Sequence, residues 1–94
     1  MGNIYLFLAD GFEEVEALGT VDVLRRAGLP VKTVSIIDQL EVTSSHGVSV
    51  KADMLFDEEA LRDAEMLVLP GGMPGSLNLS EHEGLRRIIL AFSA

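Results

Sequence analysis

The 94-residue sequence has no cysteine, and its seven lysine and arginine residues are outnumbered by fifteen aspartate and glutamate residues. Without cysteine, these residues can form no disulfide, no thiolate metal site and no thiol nucleophile. A net charge of -8 repels a phosphate backbone, and no basic patch offsets it. Nucleic acid is therefore excluded as a partner, and any thiol chemistry must come from outside these residues.

The beginning of the chain has neither the charge nor the length of a targeting or membrane segment. No basic residue precedes the apolar run Ile4–Ala9, and Asp10 ends that run too early for a secretory signal or a membrane span. We therefore expect a cytoplasmic protein without a membrane partner. A hydrophobic content of 48% suits one modest core, so residues 1–94 are expected to belong to a single domain.

The first third of the chain has the pattern of a strand, a helix and a second strand. Ile4–Ala9 is continuously apolar, as in a parallel strand that is covered on both faces. Glu13–Ala27 has acidic residues in its first turn and basic residues in its last, which predicts a capped helix. Val31–Ile37 is rich in β-branched residues and predicts the next strand. The apolar stripe of the helix is predicted at Val15, Leu18, Val21 and Leu24.

The middle of the chain predicts a small antiparallel hairpin that lies off the main sheet. Val42–Thr43 and Val48–Val50 alternate in the manner of short strands. They flank Ser44–Gly47, a polar segment with glycine at its end, as in a hairpin turn. This hairpin separates the two βα portions of the chain.

The last third predicts a short helix over Asp57–Asp63, a strand over Met66–Leu69 and a final helix that Ser80 caps and that runs through Phe92. Together these elements predict an open α/β sheet of three main strands with helices on both faces. Functional sites in such sheets gather at the carboxyl ends of the strands. Because another parallel strand is expected after the last helix, we expect an incomplete domain that stops at Ala94.

The sequence LVLPGGMPGS, Leu67–Ser76, places three glycines directly after a predicted strand. It lacks the Gly-Lys-Ser/Thr of a phosphate loop, and no dinucleotide fingerprint follows the first strand, so we expect no nucleotide cofactor. The backbone N–H groups of such a loop can face a cavity without side chains in the way, as in an oxyanion hole. A tight turn after a strand is the alternative, and spacing alone does not separate the two.

Glu16 also falls at the carboxyl edge of the predicted sheet, in the first helix. It is either a site residue or one more acid, beside Glu13 and Glu14, that interacts with the helix dipole. Gly19 lowers helix stability by about 1 kcal/mol relative to alanine. A close contact with another helix, for example in a dimer, would explain this glycine.

Neither histidine belongs to a recognisable catalytic or metal-binding pattern. His46 lies in the polar hairpin turn and is interpreted as an ordinary turn residue. His82 is interpreted as a solvated residue in the first turn of the final helix. No group of histidine, aspartate and glutamate has the sequence spacing of metal ligands, so we expect no metal site.

Four segments together resemble the amino-terminal half of the ThiJ/PfpI family, the Parkinsonism-associated deglycase family. They are Ala9–Ala17 (ADGFEEVEA), Val21–Gly28 (VDVLRRAG), Ser45–Gly47 (SHG) and Leu69–Gly75 (LPGGMPG). Each is weak alone, but the set is specific, and the resemblance covers essentially the whole chain. It implies a flavodoxin-like sandwich that is usually a homodimer.

The resemblance also implies a site in which a reactive cysteine on a strand-helix elbow meets a helix glutamate and a glycine oxyanion hole. Glu16 matches that glutamate, and Gly71 and Gly72 match the oxyanion loop. The matching cysteine and its histidine partner fall beyond this chain, and His46 does not replace that histidine. The implied partner is therefore the missing carboxyl-terminal half or a second chain that supplies it.

Three functions remain open after this comparison. The first is a cysteine-dependent enzyme, of the glyoxalase or deglycase kind, that acts on small reactive carbonyls or their protein adducts. The second is a non-catalytic, stress-related chaperone or binding module whose exposed sheet edge recruits a partner. The third is an amidase or protease, because the same fold hosts glutaminases.

Overall fold

The computed structural model describes residues 2–93, which form a parallel sheet with helices on both faces and a separate hairpin. In chain order the strands are β1 (Asn3–Leu8), β2 (Val31–Ser35), β3 (Glu41–Thr43), β4 (Ser49–Lys51), β5 (Met54–Leu55) and β6 (Ala64–Val68). The α-helices are α1 (Glu14–Arg26), α2 (Gly75–Ser80) and α3 (Glu83–Ser93). The sheet has the order β5-β2-β1-β6 with every pair parallel, which confirms the expected flavodoxin-like α/β class. β3 and β4 form the predicted antiparallel hairpin.

β1 lies between β2 and β6 and contributes to the core on both of its faces. Ile4, Leu6 and Leu8 pack on one side with buried residues of α1 and of the hairpin. Tyr5 and Phe7 pack on the other side with buried residues of α2 and α3. Because successive side chains of a strand point to opposite faces, a strand between two helical layers needs a continuous apolar run.

α1 begins and ends as predicted, but its buried face is offset from the predicted stripe. Glu13 is the N-cap, and its side chain accepts a hydrogen bond from the Val15 N–H. The prediction of the apolar stripe was wrong for its first two residues, because the side chains of Val15 and Leu18 are exposed. The buried positions are Ala17 and Val21. The small side chain of Ala17 lets the helix lie close to the sheet, which turns the larger Val15 outward.

The sheet has a fourth strand that the sequence pattern did not predict. β5 spans only Met54–Leu55 and pairs with Val34 and Ser35 of β2. Two residues are too few for a periodicity to show.

The predicted helix Asp57–Asp63 is shorter than expected, since only Ala60–Asp63 is helical and forms a 3-10 helix.

The prediction that Ser80 caps the final helix was wrong, because Ser80 is the last residue of α2. α3 begins at Glu83, and His82 supplies the cap: its Nδ1 accepts the N–H of Leu85 at 3.0 Å. The His82 ring also contacts that of Phe56, with 4.6 Å between the ring centroids. His82 is therefore a half-buried structural residue and not the solvated residue that was expected.

Within residues 2–93, β6 pairs only with β1, so its outer edge is open. Large apolar side chains on β6, directly after it and on α3 are exposed, namely Met66, Leu69, Leu90 and Phe92. Ala94, where the chain was expected to stop short of another strand, lies outside the described residues. In the same range, no helix is both long and apolar enough to cross a membrane.

Candidate functional site

The carboxyl ends of β1 and β6 bring two segments together at one edge of the sheet. β1 leads into the first turn of α1, and β6 leads into the glycine loop, Leu69–Gly75. The two backbones are in contact, because the Gly75 N–H donates to the Gly11 carbonyl at 3.1 Å. A Cβ on residue 75 would lie 2.7 Å from the Gly11 oxygen, so this close approach requires glycine.

Gly71 is held at both of its backbone groups by the first turn of α1. Its N–H donates to Glu16 Oε1 at 2.8 Å, and its carbonyl accepts the N–H of Glu13 at 3.2 Å. The site residues that the sequence indicated, Glu16 and Gly71, are therefore direct neighbours across a separation of 55 positions in the chain. In this contact a side-chain carboxyl oxygen accepts a backbone N–H.

Gly72 follows with a φ of +100°, a conformation that favours glycine. A Cβ at this position would also lie 2.8 Å from the backbone nitrogen of Glu13. Its carbonyl accepts two hydrogen bonds from Ser76, one from the N–H and one from the hydroxyl. Gly72 thus positions the loop against α1 by backbone geometry alone.

The two glycine N–H groups differ in their availability. In this arrangement the Gly71 N–H is engaged by the Glu16 carboxylate, whereas the Gly72 N–H has no partner in the part of the chain that the structure describes. For the Gly71 N–H to contact another anion, Glu16 must release it. The Glu16 side chain and any other acceptor therefore compete for the same donor, the Gly71 N–H.

A cavity of about 270 Å³ opens beside Gly71. Its wall is mostly apolar and includes Leu69, Pro70, Ser76, Leu79 and Leu85. It lies between the glycine loop and the helices α2 and α3, on the side of the open β6 edge. Polar backbone groups at one end of an apolar cavity are typical of a binding site.

A second depression, of about 390 Å³, runs along the exposed face of α1 and includes Val15, Glu16, Gly19 and Val23. An added Cβ at Gly19 would meet nothing within 4 Å. The glycine therefore is not required by packing among residues 2–93. Glu16 lies between this helix face and the glycine loop.

The turn of the hairpin contacts α1 next to this site through Glu14. The Ser44 hydroxyl donates to Glu14 Oε1 at 2.9 Å, and Nδ1 of His46 lies 2.9 Å from Glu14 Oε2. The hydrogen bond with His46 is the main cause that lowers the pKa of Glu14 to about 2. The same contact raises the pKa of His46 above its ordinary value. Sequence spacing gave no sign of this pair, because its members are 32 positions apart.

Oxygen and nitrogen atoms of Glu13, Glu14 and His46 lie within 4.8 Å of one another. Each is already engaged: Glu13 accepts the N–H of Val15, and Glu14 binds both the Ser44 hydroxyl and His46. These hydrogen bonds account for the grouping without a metal ion. The absence of a metal site stays a prediction.

The sequence profile of the DJ-1/PfpI family matches residues 2–93. "Protein DJ-1 homolog B" from Arabidopsis thaliana is 40% identical over 83 residues, which cover 88% of this chain and 19% of that protein. "Deglycase TK1284" from Thermococcus kodakarensis is 33% identical over 80 residues, which cover 84% of this chain and 48% of that protein.

Solved structures of DJ-1 proteins have the same fold over the length of this chain. Oxidized DJ-1 from Toxoplasma gondii matches with a TM-score of 0.88 and 33% identity, over 97% of this chain and 50% of that one. A cysteine-to-alanine mutant of a DJ-1 superfamily protein from Salmonella typhimurium matches with a TM-score of 0.89 and 33% identity, over 99% and 50%. The chain thus spans half the length of these structures and less than half of the two curated relatives.

Proposed function

This chain belongs to the DJ-1/PfpI family, and from that premise we propose that it supplies the acid and the backbone donors of a cysteine-dependent enzyme site. The substrate class is small reactive carbonyls or their protein adducts. The observation that carries the proposal is the 2.8 Å contact between the Gly71 N–H and Glu16. The relative named a deglycase supports the choice of chemistry.

In the proposed reaction a thiolate from outside residues 1–94 attacks the carbonyl carbon of the substrate. The carbon–sulfur bond forms, and the electron pair of the carbonyl π bond moves to oxygen, which becomes an oxyanion. The N–H groups of Gly71 and Gly72 donate to that oxygen, and such preorganised donors stabilise the transition state. Before this step Glu16 turns from Gly71 toward the sulfur, which frees the Gly71 N–H for the oxyanion.

The rest of the site is proposed to lie against the open side of this chain. Three features border the same region: the edge of β6 that has no partner strand within residues 2–93, the apolar cavity beside Gly71 and the exposed Leu69. A further parallel strand, from the carboxyl-terminal half or from a second chain, would cover them and bring the cysteine to the glycine loop. The complete protein is proposed to be cytoplasmic.

The exposed face of α1 is proposed as the contact of a homodimer. Val15 is 75% exposed, and Val23, two turns further along the same face, is also exposed. Gly19 leaves room between them for a closely packed partner helix. Each apolar side chain on this face would then be buried in the dimer.

The test is the turnover of methylglyoxal by the full-length protein and by its variants. Glu16→Gln is expected to lower kcat/KM by about 100-fold or more, because an acid at the reacting sulfur is lost. Gly71→Ala keeps the N–H, but its Cβ would lie 3.4 Å from Glu16 Oε2, so a smaller fall is expected. Asp22→Asn is the control, because it removes only the ion pair with Arg26 at the other end of α1.

Unchanged kcat/KM in Glu16→Gln would contradict the assigned role. The 94-residue chain alone should be inactive, since it has no cysteine, and turnover by a pure sample of it would also contradict the proposal. Glu16-dependent hydrolysis of an amide instead of methylglyoxal would identify the amidase alternative. Suppression of aggregation that is insensitive to Glu16→Gln, without turnover, would identify the chaperone alternative.

A further inference from the structure

We propose that His46 is a proton-dependent positioning residue: its ion pair with Glu14 holds the hairpin turn on the first turn of α1 and thereby sets the contact between Gly71 and Glu16. Only the catalytic meaning of that contact rests on the proposed function. The coupling itself is a property of the fold. It links a solvent-exposed imidazole to the glycine loop through one helical turn.

The first step in this coupling is the hold of the hairpin on Glu14. The Glu14 side chain is only 13% exposed and accepts from the Ser44 hydroxyl, while His46 remains 75% exposed at the rim. The Ser44 hydroxyl also accepts the N–H groups of His46 and Val48, so the turn is organised around that oxygen. Glu14 thus binds two residues of the hairpin turn, Ser44 and His46, to the first turn of α1.

The second step is the backbone contact between the hairpin and the segment before α1. The Ser45 N–H donates to the Phe12 carbonyl at 2.8 Å, and the Gly11 N–H donates to the Thr43 carbonyl at 2.8 Å. Both bonds are made by the two residues that directly precede the N-cap of α1, Glu13. A shift of the hairpin turn therefore moves the entry into α1.

The third step is the arrangement of the first turn of α1 itself. Glu13 donates its N–H to the Gly71 carbonyl, Glu14 binds the hairpin, and Glu16 accepts the Gly71 N–H. Three of four successive residues thus connect the hairpin turn to one glycine. Because a helical turn is rigid, displacement of Glu14 is transmitted to Glu13 and Glu16.

The charge of His46 controls the first step, in which Glu14 binds the hairpin turn. The groups that face it are Glu14 and Glu13 from α1, and Asp10 accepts the Thr43 N–H at the base of the turn. The raised pKa of His46 means that the ion pair is fully present below the ordinary histidine pKa. The pair is lost as the pH rises through the raised value. Glu14, with a pKa of about 2, stays ionised throughout that change.

The experiment is a pH titration of the full-length protein from pH 5 to pH 9 by NMR. The ring protons of His46 and the amide of Gly71 are followed together, and the protection of the Ser45 amide is measured. The Gly71 amide shift is expected to change with the same midpoint as the His46 ring. Protection of the Ser45 amide, corrected for its intrinsic exchange rate, is expected to fall by about two- to five-fold across that midpoint, as for the loss of an exposed ion pair.

Two variants separate positioning from general stability. His46→Arg keeps the positive charge at all these pH values, so the Gly71 amide should no longer titrate while Ser45 protection is retained. Glu14→Gln should abolish the Gly71 titration and lower the His46 midpoint toward the ordinary value, because Glu14 is the main cause that raises it. Asp22→Asn, on the same helix, should leave both signals as in the parent protein.

A Gly71 amide that does not titrate in the parent protein, or that titrates equally in His46→Arg, would overturn the proposal. His82, and any histidine outside residues 1–94, is distinguished because its own ring signal reports its titration separately. The result is also independent of catalysis. If Glu16→Gln abolishes turnover but Gly71 does not respond to His46, only this inference fails, and the converse outcome rejects only the proposed reaction.

Discussion

β1 and β6 are neighbouring strands of one sheet with similar apolar sequences and very different surroundings. β1 is buried over Ile4–Leu8, because it has a strand on each side and helices on both faces. β6, over Ala64–Val68, has no fully buried residue. The difference lies in the neighbours and not in the residues, since an apolar strand is buried only when both of its edges and both of its faces are covered.

The opposite edge of the sheet is formed by β5, which has features that are typical of a strand without a further partner. β5 has two residues, and Asp53 directly before it accepts hydrogen bonds from Thr33 and Arg25. Very short strands and charged side chains are common ways to close an edge. β6 has five residues and one charged side chain, Glu65, near its start. The remaining Met66–Val68 is apolar, which supports the proposal that further polypeptide pairs with it.

The largest expected effect on stability comes from a matched pair of leucine-to-alanine substitutions that compares the two strands. Leu8 is 1% exposed at the end of β1, and Leu69 is 46% exposed just after β6. Leu8→Ala is expected to lower the free energy of unfolding of the chain by about 2–5 kcal/mol. Leu69→Ala should cost about 1 kcal/mol or less, because little apolar surface is lost from the core.

Urea unfolding of both variants measures these costs. In the full-length protein the cost of Leu69→Ala should rise toward that of Leu8→Ala, since added polypeptide would bury the side chain. Equal and small costs for Leu69→Ala in both lengths would show that the β6 side stays uncovered.

A smaller effect is expected from two glycine substitutions that probe the same regions. Gly75→Ala would place a Cβ 2.7 Å from backbone atoms of Gly11 and Phe12, where β1 and β6 end together. Overpacking of this kind costs about 1–3 kcal/mol. Gly19→Ala, in open space on α1, should instead stabilise the chain by up to about 1 kcal/mol.

Thermal unfolding and sedimentation equilibrium together measure both consequences of Gly19→Ala. If α1 forms the proposed dimer contact, the substitution should stabilise each protomer and weaken the dimer of the full-length protein. A dimer of unchanged affinity would place the contact elsewhere.

The elements predicted best were those whose signals are local. The bounds of β1, α1 and the hairpin follow from apolar runs, capping residues and Gly47, which has a φ of +80°. The buried face of α1 was misplaced, because periodicity does not reveal that the Val15 side chain is left exposed by the other described residues, 2–93. β5 was missed because it has only two residues.

The candidate site could be predicted in part. Glu16, Gly71 and Gly72 were identified by resemblance, and strand order explains why they meet, since carboxyl ends of parallel strands share an edge. The contact of Gly71 with both Glu13 and Glu16 could not be predicted, because it depends on the angle between the loop and the helix. The pair of Glu14 and His46 depends in the same way on where the hairpin docks.

The smallest expected effect concerns Asp53 at the closed edge. Partial burial raises the pKa of this carboxyl, but hydrogen bonds from Thr33 and the charge of Arg25 outweigh that effect, so its pKa lies below the usual range. A carboxyl whose pKa is lowered by folding stabilises the protein above its unfolded pKa, and this contribution is lost as the pH falls through the folded value. Asp53→Asn should therefore lower the free energy of unfolding at neutral pH. It should also make that free energy decrease less as the pH falls.

Because the Asp53 side chain is 41% exposed, solvent screens its interactions, and we expect a cost of only about 1 kcal/mol at pH 7. Urea unfolding between pH 3 and pH 7 measures it, with Glu65→Gln on the open β6 edge as the matched control. Among residues 2–93, the Glu65 side chain accepts only the N–H of Gly2, so its loss should change stability less. If both substitutions had the same cost and pH dependence, the hydrogen bonds of Asp53 would not distinguish the two edges, and the closed character of the β5 edge would rest on its short length alone.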